Sequence, residues 1–227
     1  AALGASRRLV KAVNAVEAGK TVPPAQFYVF TPVATLLRFG HWDAILGEPP
    51  PPEALRLDFA VWLYARGFAH ANKGDLAGAQ ADRDRLGNLV SADYSAYDPD
   101  GIPARQLVGM SMALLDGEIA RKSGHLDAAI GHFNDAAALE AALPYTEPPY
   151  WHQPVAHILG AALIEAGRPA EAEAIYRQSL KTYRLDGWAL FGLAQALDAQ
   201  HKPAADARRA FRDAWRFADV TLTSSRF

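Results

Sequence analysis

The residues of this chain best equipped for chemistry are seven histidines, His41, His70, His125, His132, His152, His157 and His201, and a scatter of carboxylates. Two imidazoles on one helix hold a single ion when they stand three or four residues apart and share a face. His152 and His157 are five apart. His125 and His132 are seven apart, which returns to one face but separates them by about 10 Å along the axis. No metal ligand is therefore assigned; a site would need three of His125, His132, His152 and His157 to meet through folding. The chain has no cysteine, which removes disulfides, thiolate metal sites, iron–sulfur clusters and cysteine nucleophiles together. It has no phosphate-cradling glycine loop, dinucleotide fingerprint or HExxH pair, and no nucleophile elbow. The expectation is that no residue is catalytic, that the chain is not an enzyme and that it carries no cofactor. Asp82, Asp84, Asp93, Glu171 and Glu173 read as solvated acids.

The elements that position these side chains are given by a repeat. Glycines recur in pairs seven residues apart: Gly67 and Gly74, Gly117 and Gly124, Gly160 and Gly167. Five residues after each second glycine comes Ala79, Ala129 or Ala172, and four later Arg83, Phe133 or Tyr176. A fourth unit has Ala194, Ala207, Phe211 and Ala214, one extra residue in its turn and no second glycine. The first glycine of a pair lies inside a helix, where it costs about 1 kcal/mol against alanine, so its recurrence implies close approach by a neighbouring helix. The second ends that helix, where the cap needs positive φ. HANKGDLAGAQ, ARKSGHLDAAIGHF and IEAGRPAEAEAIY each read as helix, glycine stop, short turn, helix.

On these residues the chain resembles the tetratricopeptide repeat family over residues 58–218. The implied fold is all-α, a right-handed superhelix of antiparallel helical hairpins with about four full units. The expected layout is one domain: an N-terminal capping helix within 1–20, a degenerate repeat over 24–47, repeats over 58–90, 104–142, 150–183 and 187–218, and a tail over 219–227. In the degenerate unit Gly40 and Trp42 are present, but Gly47 and Pro49 to Pro52 cut the second helix short. Phrases such as RFGHWDAIL also look like the C-terminal part of larger bacterial repeat proteins that are often exported. The first glycines lie 50 and 43 residues apart, against a family period of about 34. The surplus falls in Ser91–Pro103 and Pro144–Gln153, and such insertions carry function more often than scaffolds do. Asp116, beside Gly117 where the family has an apolar residue, reads as a buried acid paired with Arg66 at the equivalent place one unit earlier.

Composition fits this reading. Half of the 227 residues are hydrophobic and the net charge is −2, with a pI near 6.4, so no field exists to hold nucleic acid or an anionic membrane. The longest uncharged run, Thr21–Leu37, is broken by Pro23, Pro24 and Pro32 and is shorter than the ~20 apolar residues of a membrane span; no membrane insertion is expected. The start, AALGASRRLVKAV, lacks a signal peptide's order and begins with Ala, as a processed form or a piece of something longer would. The compartment is not fixed, cytoplasm and periplasm both suiting a soluble chain without cysteine.

The resemblance implies that one face of each unit's first helix lines a concave groove. That face gives Phe30, Tyr64, Phe68, Glu118, Arg121, Lys122, His157, Trp188, Phe191 and Gln195 as partner-binding residues, with Phe27, Arg38 and Asn72 beside them. The groove would be aromatic at both ends and charged in the middle, and aromatic residues and Arg are what anchor interfaces. The Lys and Asn set with which some family members clamp an acidic chaperone tail is not supplied. At the end of the stack, Phe211, Trp215 and Phe217 need cover: the tail folds back over the last helix, or the end meets a partner, a homodimer included. The function expected is a non-catalytic scaffold binding a protein or peptide. The alternative is an accessory subunit that takes a metal or small molecule through groove and loop histidines.

Overall fold

The computed structural model describes residues 2–227, and every regular element among them is helical. The N-terminal segment forms α1 (Ala2–Ala12) and α2 (Ala15–Ala18), divided at Asn14, whose φ of 46° interrupts the helix. After a 3-10 turn at Pro23–Ala25 come α3 (Gln26–Val29), α4 (Thr31–Arg38) and α5 (Trp42–Gly47). Four longer hairpins follow: α6 (Arg56–Asn72) with α7 (Leu76–Val90), α8 (Ala104–Lys122) with α9 (Leu126–Ala141), α10 (Val155–Glu165) with α11 (Pro169–Thr182), and α12 (Gly187–Ala199) with α13 (Ala205–Trp215). The structure is thus an all-α stack of helical hairpins.

The glycine pairs act as their spacing implies. Gly40, Gly74, Gly124 and Gly167 stand just past the first helices with φ between 65° and 83°, where a side chain would be strained. The last hairpin lacks this glycine, and His201 adopts φ 55° in its place. The mid-helix glycines admit neighbours. A Cβ on Gly67 would lie 2.7 Å from Leu115 Cδ2, and one on Gly117 would enter the Phe133 ring. Gly160 of α10 and Gly192 of α12 face the same Tyr176 ring from two sides. The two glycines open a slot through which Tyr176, on α11, reaches the inner face of the stack.

The first helices pack side by side as α6 on α8 and α10 on α12, but α8 and α10 do not adjoin in this way. The segment between α9 and α10 turns inward there. Trp151, 7% exposed, sets its ring 5.7 Å from that of Tyr64, and Gln153 is buried with it. The earlier insertion forms a 3-10 turn over Ser95–Asp100, and the Tyr97 hydroxyl donates to Gln26 Oε1 at 2.7 Å.

Two expectations about acids are corrected. Asp82 is not a solvated acid: it is 4% exposed and accepts from Arg66 Nε at 3.2 Å. Asp116 does not pair with Arg66. It receives Arg83 through Nε at 2.7 Å and a second nitrogen at 3.3 Å. Arg66 and Asp116 each take a partner from α7, the helix that lies between them in sequence.

Candidate functional site: a concave groove holding an extended segment

Residues 219–227 have the sequence DVTLTSSRF, with no apolar periodicity to support a helix. They run as an irregular strand of chain after Trp215, whose indole Nε1 donates to Val220 O at 2.6 Å. From there the segment enters the concave side rather than covering α13. Leu222 is 6% exposed and Ser225 fully buried.

Each contact has a recognisable chemistry. Gln195 of α12 donates through Nε2 to Thr223 O at 3.0 Å. Ser225 Oγ donates to the His157 backbone carbonyl at 2.7 Å. That uses its one proton, so the Tyr176 hydroxyl, arriving through the glycine slot, donates to Ser225 at 2.7 Å. The Arg226 guanidinium grips both oxygens of Glu118 at 2.7 and 2.8 Å and lies 5.2 Å from the Phe68 ring centre. Phe227 meets Trp188 edge-on at 5.1 Å and Phe39 at 6.4 Å.

Glu118 is the electrostatic centre. It is fully buried, which by itself would raise its pKa; Arg226 and then Arg121 override that and hold the carboxyl down at about 2. Arg121 donates to it at 3.1 and 2.9 Å, and Asn72 at 2.8 Å. Arg121 also bridges to Glu165 at 2.8 Å. A buried carboxylate needs such a set of donors to stay charged.

A second polar cluster closes the groove from the N-terminal side. Arg38 of α4 stacks on the Trp188 ring at 4.0 Å and donates to Gln153 Oε1 at 3.1 Å and to His157 Nδ1 at 2.8 Å. With Nδ1 accepting, the network puts the imidazole proton on Nε2, which meets Asp186 Oδ2 at 2.5 Å. Burial lowers the His157 pKa, the Asp186 hydrogen bond pulling the other way. Both ring nitrogens of His152, close to Arg38, and elsewhere in the core both side-chain oxygens of Asp58 have no hydrogen-bond partner. Burial pushes His152 down to about 3 and Asp58 up to about 9.

The residues expected to bind a partner divide into three groups. Phe68, Glu118, Trp188 and Gln195 touch the seated segment, and His157 touches it through its backbone. Arg121 and Lys122 line an open cleft of about 550 Å³ beside it, together with Asn72, Glu165 and Gln195. The other three lie elsewhere. Phe191 turns to α13, its ring 5.2 Å from Phe211; Phe30 packs on Phe27 at 5.7 Å; Tyr64 is sealed beneath Trp151. The His157 ring, expected as a groove contact, is buried between Arg38 and Asp186. Sequence reasoning missed Tyr176 and residues 222–227 as parts of the site; the only signal for Tyr176 was the pair of glycines facing it.

The Ser225 hydroxyl bonds to a backbone carbonyl and not to an imidazole, so no Ser–His pair forms. Asp116 lies away from Glu118 and Arg121, held by Arg83. Among the described residues no three His, Asp or Glu side chains come together as metal ligands, so the condition set on the four histidines is not met. No helix among them is long and apolar enough to cross a membrane.

Residues 155–196, which are α10, α11 and most of α12, match the family model described as tetratricopeptide repeat. The chain contains a tetratricopeptide repeat within an all-α helical-repeat fold, as the Gly–Gly–Ala spacing implied. No curated protein and no solved structure matches the chain.

Proposed function

We propose that this chain is a non-catalytic scaffold whose concave groove binds an extended segment of a partner protein. The observation that carries the reading is that the groove already accommodates such a segment, residues 222–227, through side-chain pockets and a charge pair. Tetratricopeptide repeats serve generally as protein-interaction scaffolds, and nothing at the groove brings a nucleophile to a base. With a net charge of −2 and arginines committed to carboxylates, the groove is suited to protein and not to nucleic acid. A homodimer through the C-terminal end is set aside. Phe211 and Trp215 are spent on stacking with each other and with Phe191 and Trp188, leaving the exposed Phe217.

The test is a pull-down with the wild-type chain and with a variant altered at cleft residues that do not touch the seated segment, Lys122→Glu/Glu165→Lys. The expected result is a partner kept by the wild type and lost by a variant that retains its helix content and melting temperature. A partner held equally by both would refute the groove as the site.

A further inference from the structure

We infer that residues 222–227 are an internal stand-in for the partner, and that the groove selects an extended segment in which a small residue precedes an arginine followed directly by an aromatic residue. This rests on the reading of the groove as a peptide site and names the peptide.

The arginine is specified most strongly. Asn72 and Arg121 hold the buried Glu118 carboxylate from one side, and both of its oxygens remain open to a planar fork from the other. Arg226 supplies that fork; a lysine ammonium would offer one point charge to the same pair. The Phe68 ring beside the guanidinium adds a cation–π contact that favours Arg again. The next position is aromatic because Phe227 meets Trp188 in an edge-to-face contact and completes a three-ring cluster with Phe39. The preceding position is small. Ser225 lies on a floor made by the His157 carbonyl and the Tyr176 hydroxyl, and its hydroxyl satisfies both.

The segment is built to leave. No backbone–backbone hydrogen bond joins residues 219–227 to the rest of the chain, so release opens no helix. The cleft of about 550 Å³ beside it gives an incoming chain a place to land before the internal one departs. A tethered competitor acts at an effective concentration in the millimolar range, so the closed chain should bind a partner at least about tenfold more weakly than an opened one. The segment is then an autoinhibitory strap that only a matching sequence displaces.

The test uses the amidated, fluorescein-labelled peptide DVTLTSSRF and the same peptide with glutamate in place of its arginine. They are titrated against the wild type and against Arg226→Ala/Phe227→Ala by fluorescence anisotropy. The expected result is that the opened variant binds the arginine peptide at least tenfold more tightly than the wild type does, and at least tenfold more tightly than it binds the glutamate peptide. Equal binding of both peptides would overturn the sequence preference while leaving the groove a peptide site. An opened variant with wild-type helix content that binds neither peptide would overturn both readings. Equal affinity of wild type and opened variant would overturn the strap. A wild-type dimer that dissociates in the variant would assign the segment to a second copy and overturn the partner assignment. Should the double variant lose helix content, Phe227→Ala alone is the milder opening and is held to the same outcomes.

Discussion

Adding one methyl group at two glycines of this chain should have opposite effects. Gly131 lies in α9, exposed, with nothing within 4 Å of an added Cβ. Gly131→Ala should gain the helix-propensity difference, about 1 kcal/mol. Gly160, in α10, gains the same term and loses more. Its Cβ would fall 2.6 Å from both Cε1 and Oη of Tyr176, where carbon contacts relax at about 3.5–4.0 Å. The ring must therefore retreat by about 1 Å, yet it is fully buried and faced on its other side by Gly192. Overpacking of this kind costs about 1–3 kcal/mol. Moving the ring also breaks the 2.7 Å bond from its hydroxyl to Ser225, a further loss of about 1 kcal/mol. Net destabilisation of about 1–3 kcal/mol follows, or a fall in melting temperature of roughly 2–12 °C for a chain of this size. Thermal and urea unfolding followed by circular dichroism would read both variants. A Gly160→Ala chain as stable as the wild type, or shifts of the same sign at both sites, would refute the claim that Gly160 exists to admit Tyr176.

Three further outcomes follow from the same structure. His201→Gly should stabilise the chain by about 1 kcal/mol, because a left-handed residue with a side chain is relieved at the last turn; an unchanged unfolding midpoint would contradict it. Asp58, unpaired and held neutral up to about 9, keeps its proton in the folded state while the unfolded chain loses it near the ordinary carboxylate value. The folded state then binds more protons between these two values, so stability falls as pH rises, by up to about 1.4 kcal/mol per pH unit. Asp58→Asn has no proton to lose, and its stability relative to the wild type should improve steadily from about pH 5 to about pH 8, whereas parallel profiles would refute the linkage. Glu118→Gln takes the carboxylate from Arg226, while Arg121 keeps Glu165, and should cost about 3–5 kcal/mol; Arg226→Gln should cost less, since Glu118 keeps Arg121 and Asn72. A double-mutant cycle should show coupling of about 0.5–3 kcal/mol, and additive effects would deny the pair.

The parts of this molecule that could be read from its sequence are those decided by the backbone of one helix and its turn. A glycine with positive φ seven residues after a helix-interior glycine is a local backbone requirement, and Gly67–Gly74, Gly117–Gly124 and Gly160–Gly167 placed three hairpins and the all-α class. Glu118, Arg121 and Lys122 were expected on the inner face because the family resemblance implies that one face of each first helix lines the groove. What failed depended on side chains that a neighbouring helix supplies, even within one hairpin. Asp82 is buried because Arg66 meets it from another helix, and Phe191 turns outward because α13 supplies Phe211. The phase of α12 alone does not decide that. The seated segment was hidden for a different reason. Residues 222–227 have neither period nor propensity, and their place is set by contacts from α6, α8, α10, α11 and α12 and from Phe39. Gln153, which accepts from Arg38 of the early unit, was hidden in the same way.

Because the chain has no cysteine, a pair introduced at Gln195→Cys and Thr223→Cys reports directly on whether the segment occupies the groove. The two positions are joined by a hydrogen bond of 3.0 Å. Treatment with a short bismaleimide, followed by digestion and mass spectrometry, should give a link within one chain, formed more slowly when excess DVTLTSSRF peptide is present. No link, or a link found only between two chains, would contradict the account.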